Sequence, residues 1–308
     1  MLVRVDRKEL LWMGMYSIPR LLLKSEWYMK WGATGDIRPY VYVRKDNMIK
    51  NPGSRHHSDW FPVPPIYIDP LDLSTLSFAE KIYYLENNAF GPANMAMPRW
   101  VFYDCAVIPG FVAGFAMRTQ CLPDAIRKVL KVPLDYEWTP ISLFIIIPTV
   151  AKGQWVAHNL CAVNSLLPES DRFYALGFLS KAFGLWYANV ENCIGMTQWG
   201  SPALKLHTHY GHMQIMTAYT PVHSHAKTIT YSVDVNTAVW EQFYTRDVDL
   251  AFLEKYGPTG LEIDPQREES MINLHERIQS GEGPYYLSAA DIASKKLTEA
   301  LQVYSLKS

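Results

Sequence analysis

The sequence predicts a mixed α/β fold in which helices flank a mostly antiparallel central sheet. Three observations support this prediction: β-rich runs alternate with apolar runs at helical spacing, a strand–helix–strand unit lies mid-chain, and the run ISLFIII is apolar at all but one position. Such a run indicates a strand buried on both faces. With 49% hydrophobic residues, a chain of 308 residues can bury a large core.

The first predicted elements are a helix, a hairpin and a second helix. In SFAEKIYYLEN (residues 77–87), Phe78, Ile82 and Leu85 recur at helical spacing. Residues 99–119 contain two β-rich runs separated by Pro-Gly, which predicts a β-hairpin. The segment LPDAIRKVL (residues 122–130) begins with proline and an acidic residue, as helices often do.

The middle and end of the chain continue this alternation. ISLFIII and QWVAHNLCAV are predicted strands, followed by an amphipathic helix over residues 173–186 and a strand over 193–199. PALKLHTHY predicts a helix that ends before Gly211, and residues 213–235 predict a hairpin whose second arm, TITYSVDV, alternates cleanly. NTAVWEQFYTRDVDLAFLEKYG and ADIASKKLTEALQVY predict C-terminal helices joined by a polar linker.

These elements suggest three segments. Residues 1–75 combine chain breakers with many aromatic residues, so we expect an ordered wrap over the core. Residues 76–236 hold the α/β core, and residues 237–308 are expected to form a helical extension.

Composition limits the classes of partner. Lys+Arg 29 against Asp+Glu 30 gives a net charge of −1, which does not indicate nucleic acid but leaves a local basic patch possible. No apolar run reaches the length of about 18–20 residues that spans a membrane, so we expect no membrane partner. Cys105, Cys121, Cys161 and Cys193 are widely spaced, which predicts free thiols in a reducing cytoplasm. The oligomeric state is not determined by the sequence.

One junction is suited to binding phosphate. RFYALG (residues 172–177) follows a polar turn and opens the predicted helix. The first N–H groups of a helix attract anions, and Ala175 and Gly177 are small enough to let a pyrophosphate approach. The alternative is an ordinary helix start capped by Ser170 or Asp171.

This junction and its neighbours resemble the GNAT acyltransferase superfamily. The family signature Arg/Gln-x-x-Gly-x-Gly/Ala is matched by Arg172, Ala175 and Gly177, with alanine in place of the first glycine. DCAVIPGFVAGFAMR resembles the family hairpin upstream of the cofactor strand, and SPALKLHTHYGHMQI resembles its later helix and strand. The order of elements covers residues 77–235, about half of the chain.

The resemblance implies acetyl-coenzyme A or another acyl-coenzyme A as acyl donor. It would lie between the strand ending near Val163 and the strand starting at Cys193. An amine acceptor would attack the thioester directly; a small metabolite, an amino acid, a protein terminus or a nucleobase would fit. The implied cofactor-binding residues are Leu160, Ala162, Val163 and Asn164 for the pantetheine arm, and Arg172, Ala175, Leu176, Gly177 and Phe178 for the pyrophosphate.

The register also suggests catalytic residues. His207 stands where the family often has a tyrosine that protonates the departing thiolate, and an imidazole can transfer protons near neutral pH. The alternative for His207 is a helix residue that contacts the sheet. Candidate general bases are His158, Glu86 and Asp104. Gly200 replaces the asparagine expected in the family, so a non-catalytic binding module with the same fold is a second hypothesis.

A histidine cluster supports further alternatives. A polar acceptor-binding wall would consist of the clustered histidines and two tyrosines, with Trp199 as a further substrate contact: His207, His209, His212, His223, His225, Tyr210 and Tyr219. In a third hypothesis His223 and His225, at strand spacing, bind a divalent metal, although no carboxylate lies in the cluster; no metal site is predicted. Planar acceptors could instead meet the N-terminal aromatics, whose simpler interpretation is packing: Trp27, Trp31, Tyr40, Trp60 and Tyr67.

Overall fold

The computed structural model describes residues 21–32, 34–56, 60–61, 64–133, 135–221, 225–245 and 247–307. The described chain forms two compact units. One comprises the described residues up to Pro148 together with Asn159–Asn189, and the other comprises Thr149–His158 and the described residues from Val190 onward. The three segments predicted from the sequence have their boundaries at residues 75 and 236. These two compact units do not test those boundaries, which stay predictions.

The first unit combines helices with a mixed sheet. Its elements in chain order are α1 (Glu26–Trp31), β1 (Ile37–Tyr42), β2 (Ile66–Ile68), α2 (Leu76–Phe90), α3 (Arg99–Val107), β3 (Phe111–Arg118), α4 (Asp124–Leu130), β4 (Trp138–Pro140), β5 (Ser142–Pro148), the second half of β6 (Gln154–Ala162) and α5 (Leu176–Tyr187). The strand order is β6–β5–β3–β1–β2, and β4 pairs with β3. β1 and β2 are parallel, whereas β1–β3, β3–β4 and β3–β5 are antiparallel.

The core of the first unit lies where α5 packs on β3 and β5. Every residue of α5 except Gly177 is buried, and Leu143–Ile146 of β5 are fully buried, which confirms the strand predicted from ISLFIII. Gly184 permits this close packing, because a Cβ there would lie 2.5 Å from Cδ1 of Phe144. The helix that carries the candidate phosphate loop is therefore anchored on the sheet along its length.

The predicted hairpin over residues 99–119 is wrong in its first arm. α3 replaces that arm, and only β3 is a strand. Phe102, Cys105 and Ala106 form the buried face of α3, and their i, i+3, i+4 spacing is helical. The aromatic and β-branched residues of this segment have a high strand propensity. Burial of one helical face outweighs that propensity.

Gly110 joins α3 to β3 where two backbones meet. A Cβ there would lie 2.7 Å from the carbonyl oxygen of Cys105 and 2.9 Å from that of Ile146. The Pro-Gly pair therefore ends a helix beside the sheet instead of turning a hairpin.

The second unit is a mixed but mostly antiparallel sheet with short helices. Its elements in chain order are the first half of β6, β7 (Asn192–Gln198), α6 (Pro202–His207), β8 (Gly211–Thr217), β9 (Thr228–Val235), α7 (Gln242–Thr245), α8 (Leu250–Lys255), β10 (Tyr256–Ile263), α9 (Glu268–Gln279), β11 (Tyr285–Leu287), α10 (Ala289–Ser294) and β12 (Leu301–Leu306). The strand order is β6–β7–β9–β8–β11–β12–β10. β6 and β7 are parallel and the other pairs are antiparallel. The predicted α/β class, mostly antiparallel with flanking helices, is confirmed.

The all-helical prediction for the C-terminal segment is wrong. Three strands, β10, β11 and β12, lie there, and the predicted polar linker contains the helix α9. LQVYSL illustrates the reason, because Leu301 and Val303 are buried with the partly exposed Gln302 between them. Pairing of β12 with both β10 and β11 outweighs the helical propensity of this segment.

Other predicted elements are confirmed with shifted ends. α2 is longer than predicted at both ends, and α5 begins at Leu176, after the predicted start at residue 173. α6 ends in a 3₁₀ turn, Thr208–Tyr210, and the predicted hairpin corresponds to β8 and β9. In the described part of the chain, no helix has the length and apolarity needed to cross a bilayer.

Candidate active site

Asn164 fixes the backbone of the loop that precedes α5. Its Nδ2 donates to the carbonyl oxygen of Phe173 at 2.7 Å, and its Oδ1 accepts the Phe173 N–H at 2.8 Å. One side chain thus satisfies both main-chain groups of Phe173, as an adjacent strand would. The path of the loop is set before the helix begins.

Ala175 is the N-cap residue of α5 and has a left-handed backbone, with φ of 63° and ψ of 10°. An L-residue other than glycine adopts this conformation at a cost of roughly 1–2 kcal/mol. The GNAT signature has glycine at the matching position, so this chain keeps a conformation typical of glycine with alanine in its place. Ala175 has no side-chain cap, and Ser170 instead bonds to Asp171. The alternative of a cap from Ser170 or Asp171 is therefore wrong.

The start of α5 is suited to an anion. Its first turn carries no acidic residue, and its first N–H groups have no carbonyl one turn earlier in the helix. Leu176 is buried and its N–H bonds to the Phe173 carbonyl at 3.1 Å, whereas Gly177 is partly exposed. Arg172 is exposed beside it, with its Nε 3.3 Å from the carbonyl oxygen of Leu167. Phe178, the last residue predicted for this site, is buried.

The second half of β6 holds the residues predicted to contact a pantetheine arm. β6 pairs with β7 over Gln154–Val156 and then continues to Ala162. Leu160 and Ala162 are partly exposed, while Val163 is buried and its N–H bonds to the Ile141 carbonyl at 2.9 Å. An extended ligand that added here as a strand would bond to the main chain of these residues.

Glu86 is a buried carboxyl group at the same strand. Its Oε1 accepts the main-chain N–H of Met97 at 2.9 Å and the side-chain amide of Asn159, in β6, at 2.7 Å. Its Oε2 is buried and lacks a hydrogen-bond partner among the described residues. Burial raises the pKa of this carboxyl, against the opposing effect of the two hydrogen bonds. The group is thus poised to accept a proton.

Cys161 lies two residues after Asn159 on β6, and its thiol is held neutral. Burial, together with the nearby Glu86, raises the pKa of Cys161 well above its ordinary value. A neutral thiol is a poor nucleophile. Cys161 is therefore not a candidate nucleophile.

The other two predicted bases lie elsewhere. Asp104 is on α3 and not on a hairpin strand, which corrects its predicted setting. Burial, and secondly the neighbouring Asp104, raise the pKa of Cys105 to about 11. His158 is exposed on β6 and belongs to the second unit. Of the three candidates, Glu86 is the one hydrogen-bonded to the second half of β6.

His207 packs inside the second unit. It is 7% exposed at the end of α6, and its ring centroid lies 5.2 Å from that of Tyr231. The Tyr231 hydroxyl sits over Gly195 of β7, where a Cβ would come within 2.4 Å of it. Burial raises the pKa of Tyr231 well above its ordinary value. Sequence reasoning missed Tyr231, because β9 lies far from α6 along the chain.

Two residues predicted for the acceptor wall are core residues. Trp199 is buried and its indole N–H donates to the Ala218 carbonyl at 2.7 Å. Tyr210 is also fully buried, and its carbonyl accepts the indole N–H of Trp240 at 3.2 Å. Their predicted acceptor contacts would require the core to open.

The histidines of the predicted wall have separate surroundings. The ring of His209 packs edge-on against Phe243 at 5.2 Å, and burial lowers its pKa to about 4. His225 is partly exposed, and His223 lies outside the described residues. Among the described residues no group of three or more His, Cys, Asp or Glu side chains is arranged to hold a metal ion. The metal hypothesis on His223 and His225 stays a prediction.

The N-terminal aromatic residues mostly serve packing. Trp27, Tyr40 and Trp60 are buried, Trp31 is partly exposed and Tyr67 is 38% exposed. Tyr40, for example, packs edge-on against Phe78 of α2 and donates its hydroxyl to the Ser142 carbonyl. Most of these rings are therefore not available to stack on a planar acceptor.

No protein-family model matches the sequence, and no curated protein matches it. Solved structures do match. A protein from Lactobacillus plantarum assigned as an N-acetyltransferase has 9% identity and a TM-score of 0.38, over 65% of this chain and 99% of its own. The NatC complex bound to Gag peptide and CoA has 13% identity and a TM-score of 0.35, over 54% of this chain and 96% of the matched one.

An acyl-CoA N-acyltransferase from Pseudomonas aeruginosa has 12% identity and a TM-score of 0.34, over 53% of this chain and 92% of its own. Such low identities and TM-scores carry no information about its activity, for which only its own residues count.

Proposed function

We propose that this protein transfers an acyl group from acyl-coenzyme A to an amine. The observation that carries the proposal is the loop before α5, where Asn164 holds Phe173 and Ala175, at the position of the signature glycine, has a left-handed backbone. The exposed Arg172 lies beside the same helix start. This set of donors and charge suits a pyrophosphate.

Different site residues contact different parts of acyl-coenzyme A. N–H groups of the α5 start and Arg172 bind the pyrophosphate. Main-chain groups of Leu160 and Ala162 bond to the amide groups of the pantetheine arm, which directs the thioester along β6. Asn159 of this strand donates to Glu86 of α2, and this pair marks the place of the reaction. Four free thiols support a reducing, cytoplasmic setting.

The chemistry follows from these positions. Acyl-coenzyme A supplies a thioester whose carbonyl carbon bonds to the acceptor nitrogen as the carbon–sulfur bond breaks. Glu86 takes the proton that the amine loses, directly or through one water molecule, and because burial raises its pKa the carboxylate is a stronger base than an exposed one. The departing thiolate takes a proton, a role for which the sequence suggests His207.

Titration calorimetry with acetyl-coenzyme A tests the proposal. We expect one site per chain with a Kd of roughly 1–100 μM, and weaker binding of acetyl-pantetheine, which lacks the pyrophosphate. Equal affinity for the two ligands would contradict a phosphate site at α5. Absence of binding at millimolar ligand would remove the acyltransferase proposal altogether.

The role of His207 has its own test. His207→Phe keeps an aromatic ring beside Tyr231 but removes the proton donor. We expect kcat to fall roughly 10- to 100-fold with little change in the Kd for acetyl-coenzyme A. The measurement is steady-state turnover with an amine acceptor alongside calorimetry. An unchanged kcat would remove His207 from the mechanism.

A further inference from the structure

We infer that Trp27 is a positioning residue for the pyrophosphate site. The inference rests on the proposed function and assigns α1, outside the signature and outside the core predicted from the sequence, to the same site. Trp27 acts through the backbone of the loop before α5 and not by touching the ligand.

The contact is a long-range hydrogen bond. The indole Nε1 of Trp27 donates to the carbonyl oxygen of Tyr174 at 2.7 Å, across 147 residues of sequence. The side chain is only 6% exposed, so water competes weakly for this bond. Tyr174 itself is an exposed loop residue, and its carbonyl is nevertheless held from within the core.

Ring packing fixes the indole in place. Trp27 meets Phe173 edge-on at 5.7 Å and Phe115 of β3 at 5.8 Å. Trp31, on the same helix, packs against Phe173 at 5.9 Å. α1 therefore supports the loop with both aromatic contacts and one directed hydrogen bond.

Because peptide groups are planar, a bond that fixes a carbonyl oxygen also fixes the direction of the next N–H group. In a trans peptide the C=O of one residue and the N–H of the next point in opposite directions. The Phe173 carbonyl points at Asn164, so the N–H of Tyr174 points away from Asn164. The Tyr174 carbonyl points at Trp27, so the N–H of Ala175 points away from Trp27.

The N–H groups of Tyr174 and Ala175 thus follow carbonyl oxygens that are each held by a side chain, Asn164 in one case and Trp27 in the other. With Ala175 in the left-handed conformation, these donors precede the N–H groups of the α5 start, and the neighbouring carbonyl oxygens are turned inward. Successive N–H groups in such a conformation form an anion-binding nest. Trp27 and Asn164 hold this nest in shape before the ligand arrives, which lowers the entropy cost of binding.

Trp27→Phe tests the inference, because it keeps an edge-on ring and removes only the donor. We expect the Kd for acetyl-coenzyme A to rise about ten-fold, with kcat at saturation and the Kd for acetyl-pantetheine unchanged. Trp31→Phe is the matched control, since it makes the same change on the same helix without a hydrogen bond to the loop. It should leave all three values unchanged.

An unchanged Kd for acetyl-coenzyme A in Trp27→Phe would overturn the inference, as would an equal loss for acetyl-pantetheine. If the phenylalanine variant unfolds, benzothienylalanine at position 27 preserves the ring shape and lacks only the N–H, and the same readouts apply. Failure of the wild-type chain to bind acetyl-coenzyme A would instead refute the proposed function, so the two failures are distinguishable.

Discussion

Gly177→Leu is expected to weaken acetyl-coenzyme A binding about 100-fold or more while leaving the protein folded. Gly177 lies in the first turn of α5 and is the one residue of that helix that is not buried. A leucine side chain would stand over the N–H groups that are proposed to bind the pyrophosphate, and several charge-assisted hydrogen bonds would be lost. The backbone at position 177 is helical, and helix propensity favours leucine over glycine.

The measurements are calorimetry and thermal unfolding. We expect a melting temperature equal to or above that of the wild type, which separates lost binding from lost structure. Wild-type affinity in Gly177→Leu would mean that no phosphate group lies at this helix start.

Ala175→Gly is the matched control in the same loop. Glycine removes the strain of the left-handed backbone, roughly 1–2 kcal/mol, but adds roughly 0.4–1 kcal/mol of unfolded-state entropy. The net gain in stability should be about 1 kcal/mol, a rise of about 2–4 °C in melting temperature. Affinity for acetyl-coenzyme A should stay within about two-fold of the wild type. A lower melting temperature would contradict the left-handed conformation of Ala175.

The sequence predicted the elements whose pattern is local. ISLFIII is buried on both faces because every position is apolar or small, and the helix of residues 173–186 needed only its own spacing. The strand in LQVYSL was missed because its stability comes from two partner strands distant in sequence. α3 was missed because strand propensity and helical burial spacing conflict within one segment.

The site shows the same division. The small residues of RFYALG marked the helix start, and the match to the family signature located Ala175. The supporting contacts join distant segments: Asn159 meets Glu86 across 73 residues, and Trp27 meets Tyr174 across 147. Nothing in the sequence pairs Trp27 with the loop, because its aromatic neighbours suggest packing alone.

Glu86→Gln is expected to lower kcat about 100-fold or more with little change in affinity for acetyl-coenzyme A. Glutamine has the same shape, and its carbonyl oxygen can still accept from Met97 and Asn159, so the hydrogen bonds of Oε1 survive. What is lost is the ability to take a proton, an effect of about 10²–10⁴ in rate for a general base. Wild-type turnover in this variant would exclude Glu86 as the base.

Two controls separate catalysis from structure. Glu80→Gln alters an exposed carboxylate on the same helix, where the ion pair with Arg99 contributes less than about 1 kcal/mol, so turnover should not change. Glu86→Ala should cost roughly 1–3 kcal/mol of stability, because it leaves the Met97 N–H and the Asn159 amide unpaired. Loss of turnover in Glu86→Gln with a normal melting temperature would then reflect chemistry alone.

The pH dependence supplies the decisive readout for Glu86. Because burial raises the pKa of its carboxyl, the folded state binds this proton more tightly than the unfolded state, so the associated stability is present at low pH and is lost as pH rises through the raised pKa. Activity is expected to increase as pH rises, because the base must be ionised to accept a proton. Wild-type kcat/KM should therefore rise with pH over the range in which wild-type stability falls. Glu86→Gln should remove both dependences together; a variant that retained either would assign that titration to another group.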